Sequence, residues 1–137
     1  MKKILLFIFI TTMLLTLKAS NNNIYSSLVI DAKGLNLKRS KSPKILSEKG
    51  YEVYGTIFEN LEKALEMGVF FYAPNLEKAK KYAPKRVGNN PLIIKAKGIS
   101  GATKSDVVVK DEDALKILKE NKKSHFLDNF KVIVLID

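Results

Sequence analysis

The run "KVIVLID" at Lys131–Asp137 constrains the fold more than any other stretch. Val132 to Ile136 are apolar at five successive positions. A strand points alternate side chains to opposite faces, so an unbroken apolar run needs cover on both. That places it centrally in its sheet, not at an edge. "LVIDA" at Leu28–Ala32 is a short apolar run closed by Gly34 and reads as a strand buried on both faces.

The chain between these runs reads as mixed elements. Lys44–Ser47 and Tyr51–Tyr54 flank "EKG", a hairpin in which Gly50 takes the positive φ of a tight loop. Thr56 and Glu59 have capping-box spacing and predict a helix from Thr56. Its stripe of Ile57, Leu61, Ala64 and Leu65 should face the core, with Gly68 just past its end. "VFFYA" is a short strand or buried connector. Asn75 caps a helix over Leu76–Tyr82 that Pro84 stops. "KRVGNNP" reads as loop, and Leu92–Ser100 as one strand. "GATKSD" is a turn before a strand at Val107–Lys110. Asp111 then caps a helix from Glu112 to about Lys122. Ala114, Leu115 and Leu118 should point inward, and Lys116, Lys119 and Lys123 outward. Strands and helices do not alternate regularly. The expected fold is therefore α+β: a mixed β-sheet with a β-hairpin and two to three helices mainly on one face, spanning residues 28–137.

"MKKILLFIFITTMLLTLKAS" bears on location. Lys2 and Lys3 precede an apolar stretch of 14 residues, Ile4–Leu17, and Ala19 offers a small residue for cleavage. The pattern is that of a secretory signal peptide over residues 1–19. The apolar stretch falls short of the ~20 residues of a spanning helix. Residues 20–27 read as a flexible mature start. The net charge of +10 includes three leader lysines, which leaves +7 after cleavage. An exported basic protein points away from nucleic acid. It points toward an anionic cell-wall or lipid surface, or an acidic protein face. The expected address is the periplasm, or association with the outer membrane. The absence of cysteine removes disulfides, thiolate nucleophiles, cysteine metal sites and a lipid-bearing cysteine at the cleavage point.

The chemical motifs are sparse. "GISGATKS" at Gly98–Ser105 approaches a phosphate-binding loop, but Thr103 stands where glycine is needed and β-branched "VVV" follows instead of a helix. His125 is the lone histidine, and Asp128 alone is a weak metal partner for it. No metal, cofactor or catalytic residue is expected, and the chain is read as non-enzymatic. Asp31 interrupts an apolar strand and needs a partner. That partner is Lys33, Arg39 or the N–H groups of the loop it would pin. Asp31, Gly34, Gly50, Thr56, Gly68 and Asp111 are expected to be structural. The binding candidates are the basic loop, Lys38, Arg39 and Lys41, together with Lys85 and Arg86 of "PKRVGNN". Tyr51, Tyr54, Phe70, Phe71 and Tyr72 read mostly as core. Outward members of "VFFY" would suit an oligomer interface.

Three segments carry a resemblance: "LVIDAKGL…SPKILSEKGYEVYG", "RVGNNPLIIKAKGISGATKSDVVVKDEDA" and "FLDNFKVIVLID". They resemble bacterial envelope proteins of the lipoprotein-20-like and flagellar assembly (FlgP-like) families. The resemblance implies an exported, non-enzymatic envelope component acting by contact with an envelope protein or by self-association, in some relatives tied to the flagellum. It carries no catalytic residues. Two departures stand out: the lipid-bearing cysteine is missing, and the companion domain of longer relatives is absent from this sequence. The alternative is a binding module for an anionic envelope ligand, peptidoglycan or lipid headgroup.

Overall fold

A computed structural model describes residues 24–57 and 59–137. The expected leader, residues 1–19, and residues 20–23 lie outside the described residues. In chain order the elements are β1 (Ser27–Asp31), β2 (Ile45–Ser47), β3 (Glu52–Tyr54), α1 (Leu61–Met67), β4 (Phe71–Ala73), α2 (Leu76–Tyr82), α3 (Pro84–Val87), β5 (Pro91–Lys95), β6 (Gly98–Ser100), β7 (Asp106–Val109), α4 (Asp111–Ser124) and β8 (Val132–Leu135).

The fold is α+β, and its strands divide between two sheets. The first has the order β4-β8-β1-β5, and every neighbouring pair in it is parallel. The doubly apolar runs β1 and β8 take its two interior places, as their sequences require. The register Ile30↔Ile94, Ile30↔Val134 and Tyr72↔Val134 puts those side chains on one face. Leu28, Ile30, Leu92, Ile94, Val132 and Val134 meet Ile45, Val107 and Val109 of the second sheet there, with Ile117 and Phe126, in the larger core. On the other face Val29, Ile133 and Leu135 pack against Ala79 of α2 and Val87 of α3. The second sheet, β3-β2-β7-β6, is mixed: β2 pairs parallel with β7, while β3 and β6 pair antiparallel.

The hairpin and its turn stand where expected. The Ser47 N–H donates to Tyr51 O, the Gly50 N–H donates to Ser47 O, and Gly50 has φ +88°. The stretch Leu92–Ser100 is two strands in different sheets, because the chain leaves the first sheet at Ala96 and Lys97 donates to Val108 O of the second. "GATKSD" links β6 to β7 as a turn, so the near-miss phosphate motif is a connection between strands.

Several local expectations are corrected. The helix expected from Thr56 begins at Leu61, behind Asn60 in a left-handed conformation. The Thr56 hydroxyl donates to the Glu52 carboxylate at 2.7 Å, and with the helix starting five residues on, Thr56 is not at its cap position. The stripe is largely outside as well: Ala64 is buried, but Leu61 and Leu65 are 60% and 79% exposed. Asp111 is the first residue of α4 rather than its cap. The cap position is Lys110, without a side-chain bond, and the Asp111 N–H is met from outside by Glu48 Oε1 at 3.3 Å. Along α4 the buried residues are Ala114 and Ile117, while Leu115 and Leu118 face out. Finally, part of the loop expected at Lys85–Pro91 is the short helix α3, with Pro84 at its start and Gly88 (φ +68°) at its end. Asn75 caps α2 as expected, accepting from the Lys78 N–H at 2.8 Å, and Gly68 (φ +79°) closes α1.

Candidate functional site

Asp31 does pin the start of the basic loop. Its Oδ1 accepts the Lys33 N–H at 3.1 Å, and Asp137 Oδ2 accepts the neighbouring Gly34 N–H at 2.6 Å. The carboxylates at the ends of β1 and β8 thus serve one turn, in which Gly34 holds φ +84°. The loop then crosses to Tyr72 of β4. The Tyr72 hydroxyl accepts the Ser40 N–H at 3.2 Å, and the Arg39 guanidinium lies 5.4 Å from the ring centre. Burial is the largest influence on that phenol and raises its pKa. Arg39 therefore serves an aromatic face rather than Asp31. The Lys38 N–H donates to Lys104 O at 3.0 Å, while its side chain is exposed.

Lys41 continues into a cavity of about 280 Å³ between the loop and α1. Ile57, Leu61, Leu65 and Val69 supply its apolar wall, and Lys41 and Lys44 its cationic rim. Lys44 is paired with Glu52 at 3.2 Å, while Lys41 has no ion pair among the described residues. The exposed leucines and the Lys41–Lys44 end of the basic loop form one surface, apolar along α1 and cationic on the loop side. Sequence reasoning missed Leu61 and Leu65 because their helical spacing argued for burial. Nothing local in the sequence marks the exposure, since Asn60 before Leu61 is itself a residue type that favours a cap.

The second basic segment is not part of this surface. Arg86 is 8% exposed, and its guanidinium is spent inside the fold. Nε donates to Phe130 O at 2.7 Å, and the two terminal nitrogens donate to Met67 O at 2.7 Å and Gly68 O at 2.8 Å. Its carbon centre lies 5.7 Å from the Phe71 ring. Burial draws its pKa down, and the carbonyls satisfy its donors. Arg86 is therefore a structural residue, not a ligand-seeking one. Phe71 and Tyr72 are consecutive in β4 and project to opposite faces, so Arg39 and Arg86 lie on opposite sides of the parallel sheet. Exposed Lys85 instead lines a cavity of about 670 Å³ with Lys63, Tyr82 and Lys131. That wall carries no acidic residue.

The remaining candidates are local. His125 ends α4 in a left-handed conformation and bonds Asp128 at 2.8 Å. Among the described residues no group of three metal-ligating side chains converges. Tyr54 and Phe70 stack in the core at 6.2 Å, and of the five aromatics named from the sequence the exposed one is Tyr51 at the hairpin rather than a member of "VFFY". No helix of the described residues is long and apolar enough to cross a membrane.

These features define a small two-sheet α+β domain whose exposed chemistry is cationic and apolar. Residues 27–137 match the family described as Treponema pallidum Tp0624, second domain, and the chain belongs to that family. It is a bacterial domain. No curated protein matches the chain.

Proposed function

We propose that this domain is an exported, non-enzymatic envelope component that works by protein–protein contact. The basic loop and the outer face of α1 are its docking surface. The observation that carries this reading is the pair of exposed leucines, Leu61 and Leu65, beside Lys41. Contiguous apolar surface with a charged border is the usual signature of an interface. The fitting partner is a protein segment with apolar anchors and acidic flanks. A leader-like start supports the envelope address, and the resemblance to lipoprotein-20-like and FlgP-like proteins supports an assembly role near the flagellum.

The test replaces Lys38, Arg39 and Lys41 with Ser and follows a photo-crosslinker at Leu65 in the native cell. The triple change should abolish a discrete crosslinked product that persists when Lys116, Lys119 and Lys123 are changed to Ser. Equal loss from both triples would make the effect one of net charge and end the docking reading. The envelope address has its own check. The mature protein should begin near Ser20, and an envelope species retaining Met1 would overturn it.

A second reading rests on the cavity walled by Lys63, Lys85 and Lys131 with the Tyr82 ring, which suits an anionic envelope ligand. Binding of the purified protein to cell wall or anionic vesicles, lost on changing these three lysines to Ser, would favour it. Co-purification with a protein partner that survives those changes would favour the first.

A further inference from the structure

The parallel sheet ends in β5, for which β1 is the sole partner among the described residues. The Ala96 N–H donates to Asp31 O. Successive residues of a strand aim their backbone groups to opposite sides, so Leu92, Ile94 and Ala96 turn toward β1. Ile93 and Lys95 turn their N–H and C=O groups outward, where no described residue meets them. The Ile93 side chain is also 55% exposed in the middle of this edge. It shares a face with Val29, which α2 and α3 cover, yet that cover stops short of β5. An edge strand with a bare central isoleucine is a template for another strand.

We propose that β5 pairs antiparallel with β5 of a second copy of this chain, about a two-fold axis at Ile93, joining two four-stranded sheets into one of eight. This surface is distinct from the docking surface proposed above. The strand's own sequence fits that axis. Ile93 falls opposite Ile93, and each exchanges an N–H···O=C bond with the other. Lys95 falls opposite Pro91 of the other copy, so its N–H reaches the Pro91 carbonyl. Proline, which lacks an N–H, takes the outermost position, where one missing bond does not break the ladder. The lysines never face each other, which like-charge pairing across strands would penalise. On the solvent face the two isoleucines touch, flanked by proline rings and lysine stems. A strand-edge contact is small for a stable interface, so the association is weak and concentration-dependent.

The test is sedimentation of the protein as purified from its own cell, over a wide concentration series, with amide exchange followed residue by residue. The Ile93 and Lys95 amides should gain protection as concentration rises, while Leu92 and Ile94 stay protected throughout. Ile93→Lys, which places two cations on the axis, should weaken association at least about tenfold with the melting temperature unchanged. Lys95→Glu should shift it by less than about threefold, because Lys95 faces Pro91. Association of two positive protomers should strengthen as salt rises, whereas docking of an acidic partner on the basic loop weakens. A monomer at every concentration overturns the proposal. So do Ile93 and Lys95 amides protected even at high dilution, which would mean that one chain covers its own edge. A Lys95→Glu effect as large as that of Ile93→Lys overturns the register.

Discussion

Replacing Arg86 with Ala tests how the edge of the parallel sheet is held. The guanidinium joins three carbonyls from two chain segments: Met67 and Gly68 ahead of β4, and Phe130 ahead of β8. Hydrogen bonds from a charged donor contribute roughly 1.5–3 kcal/mol each. Phe130 O is the buried partner, while the bonds to Met67 O and Gly68 O are partly buried and border the cavity beside Lys63 and Lys131. Water can take over part of those two once the side chain is gone. Counting one bond fully and two at about half gives roughly 3–6 kcal/mol. Relief from desolvating the cation trims this to about 3–5 kcal/mol. Against a typical total of about 5–15 kcal/mol, that is a large fraction. At about 3–6 °C per kcal/mol for a domain of this size, the melting temperature should fall by roughly 10–30 °C. Thermal and urea unfolding followed by circular dichroism measure it. Arg86→Lys should recover less than half of the loss, because an ammonium cannot span carbonyls set around a planar fork. Arg86→Met restores volume without donors and should stay close to Ala. A loss below about 1 kcal/mol for Ala, or a Met variant as stable as the parent, would refute the hydrogen-bond account.

Gly55 has φ +138°, and a Cβ there would sit 2.7 Å from Pro43 O and 2.9 Å from Lys44 Cα. Gly55→Ala should therefore cost about 2–4 kcal/mol. Gly50→Ala, at φ +88° with nothing within 4 Å, should cost about 1 kcal/mol in chemical unfolding. Glu52 is held below its ordinary value of 4.5 by the Thr56 hydroxyl first and then by Lys44. A lowered folded pKa contributes stability above the unfolded value and loses it as pH falls through the folded one. Unfolding measured from pH 6 down to about pH 3 should lose less stability in Glu52→Gln than in the parent, and an unchanged slope would refute the pairing.

The sequence made the interior strands legible because their apolar runs admit one environment. Val132–Ile136 and Leu28–Ala32 are buried on both faces wherever they are placed, so central positions followed directly. The hairpin was legible through Gly50, and α2 through Asn75. What stayed hidden depended on partners distant in the chain. Thr56 has a capping-box neighbour in Glu59, but its hydroxyl donates to the Glu52 carboxylate four residues back, and the helix does not start until Leu61. Asp111 has the composition of a cap, yet Glu48 arrives from the β2–β3 turn to meet its N–H. Leu92–Ser100 reads as one strand because nothing local marks the change of sheet at Ala96. The α4 stripe was placed one residue off: Ile117, not Leu118, continues the face of Ala114.

The basic segments show why charge alone misplaces a site. Lys38, Arg39, Lys41, Lys85 and Arg86 are equivalent in sequence, each a cation in a stretch without period. The fold sorts them by side-chain chemistry. β4 is a three-residue edge strand with few ladder bonds of its own, and each of its two faces carries an aromatic ring, Phe71 or Tyr72. A guanidinium is planar and weakly hydrated, so it can lie on a ring and fork to carbonyls. Both arginines lie over a ring, Arg39 over Tyr72 and Arg86 over Phe71, and Arg86 also forks to three carbonyls. The lysines, compact and strongly hydrated, are left at the surface with their charges free. Of the five candidates, Lys38, Lys41 and Lys85 are thus the cations a partner can engage without competing with the fold: Lys41 stands at the α1 groove and Lys85 at the lysine-walled cavity.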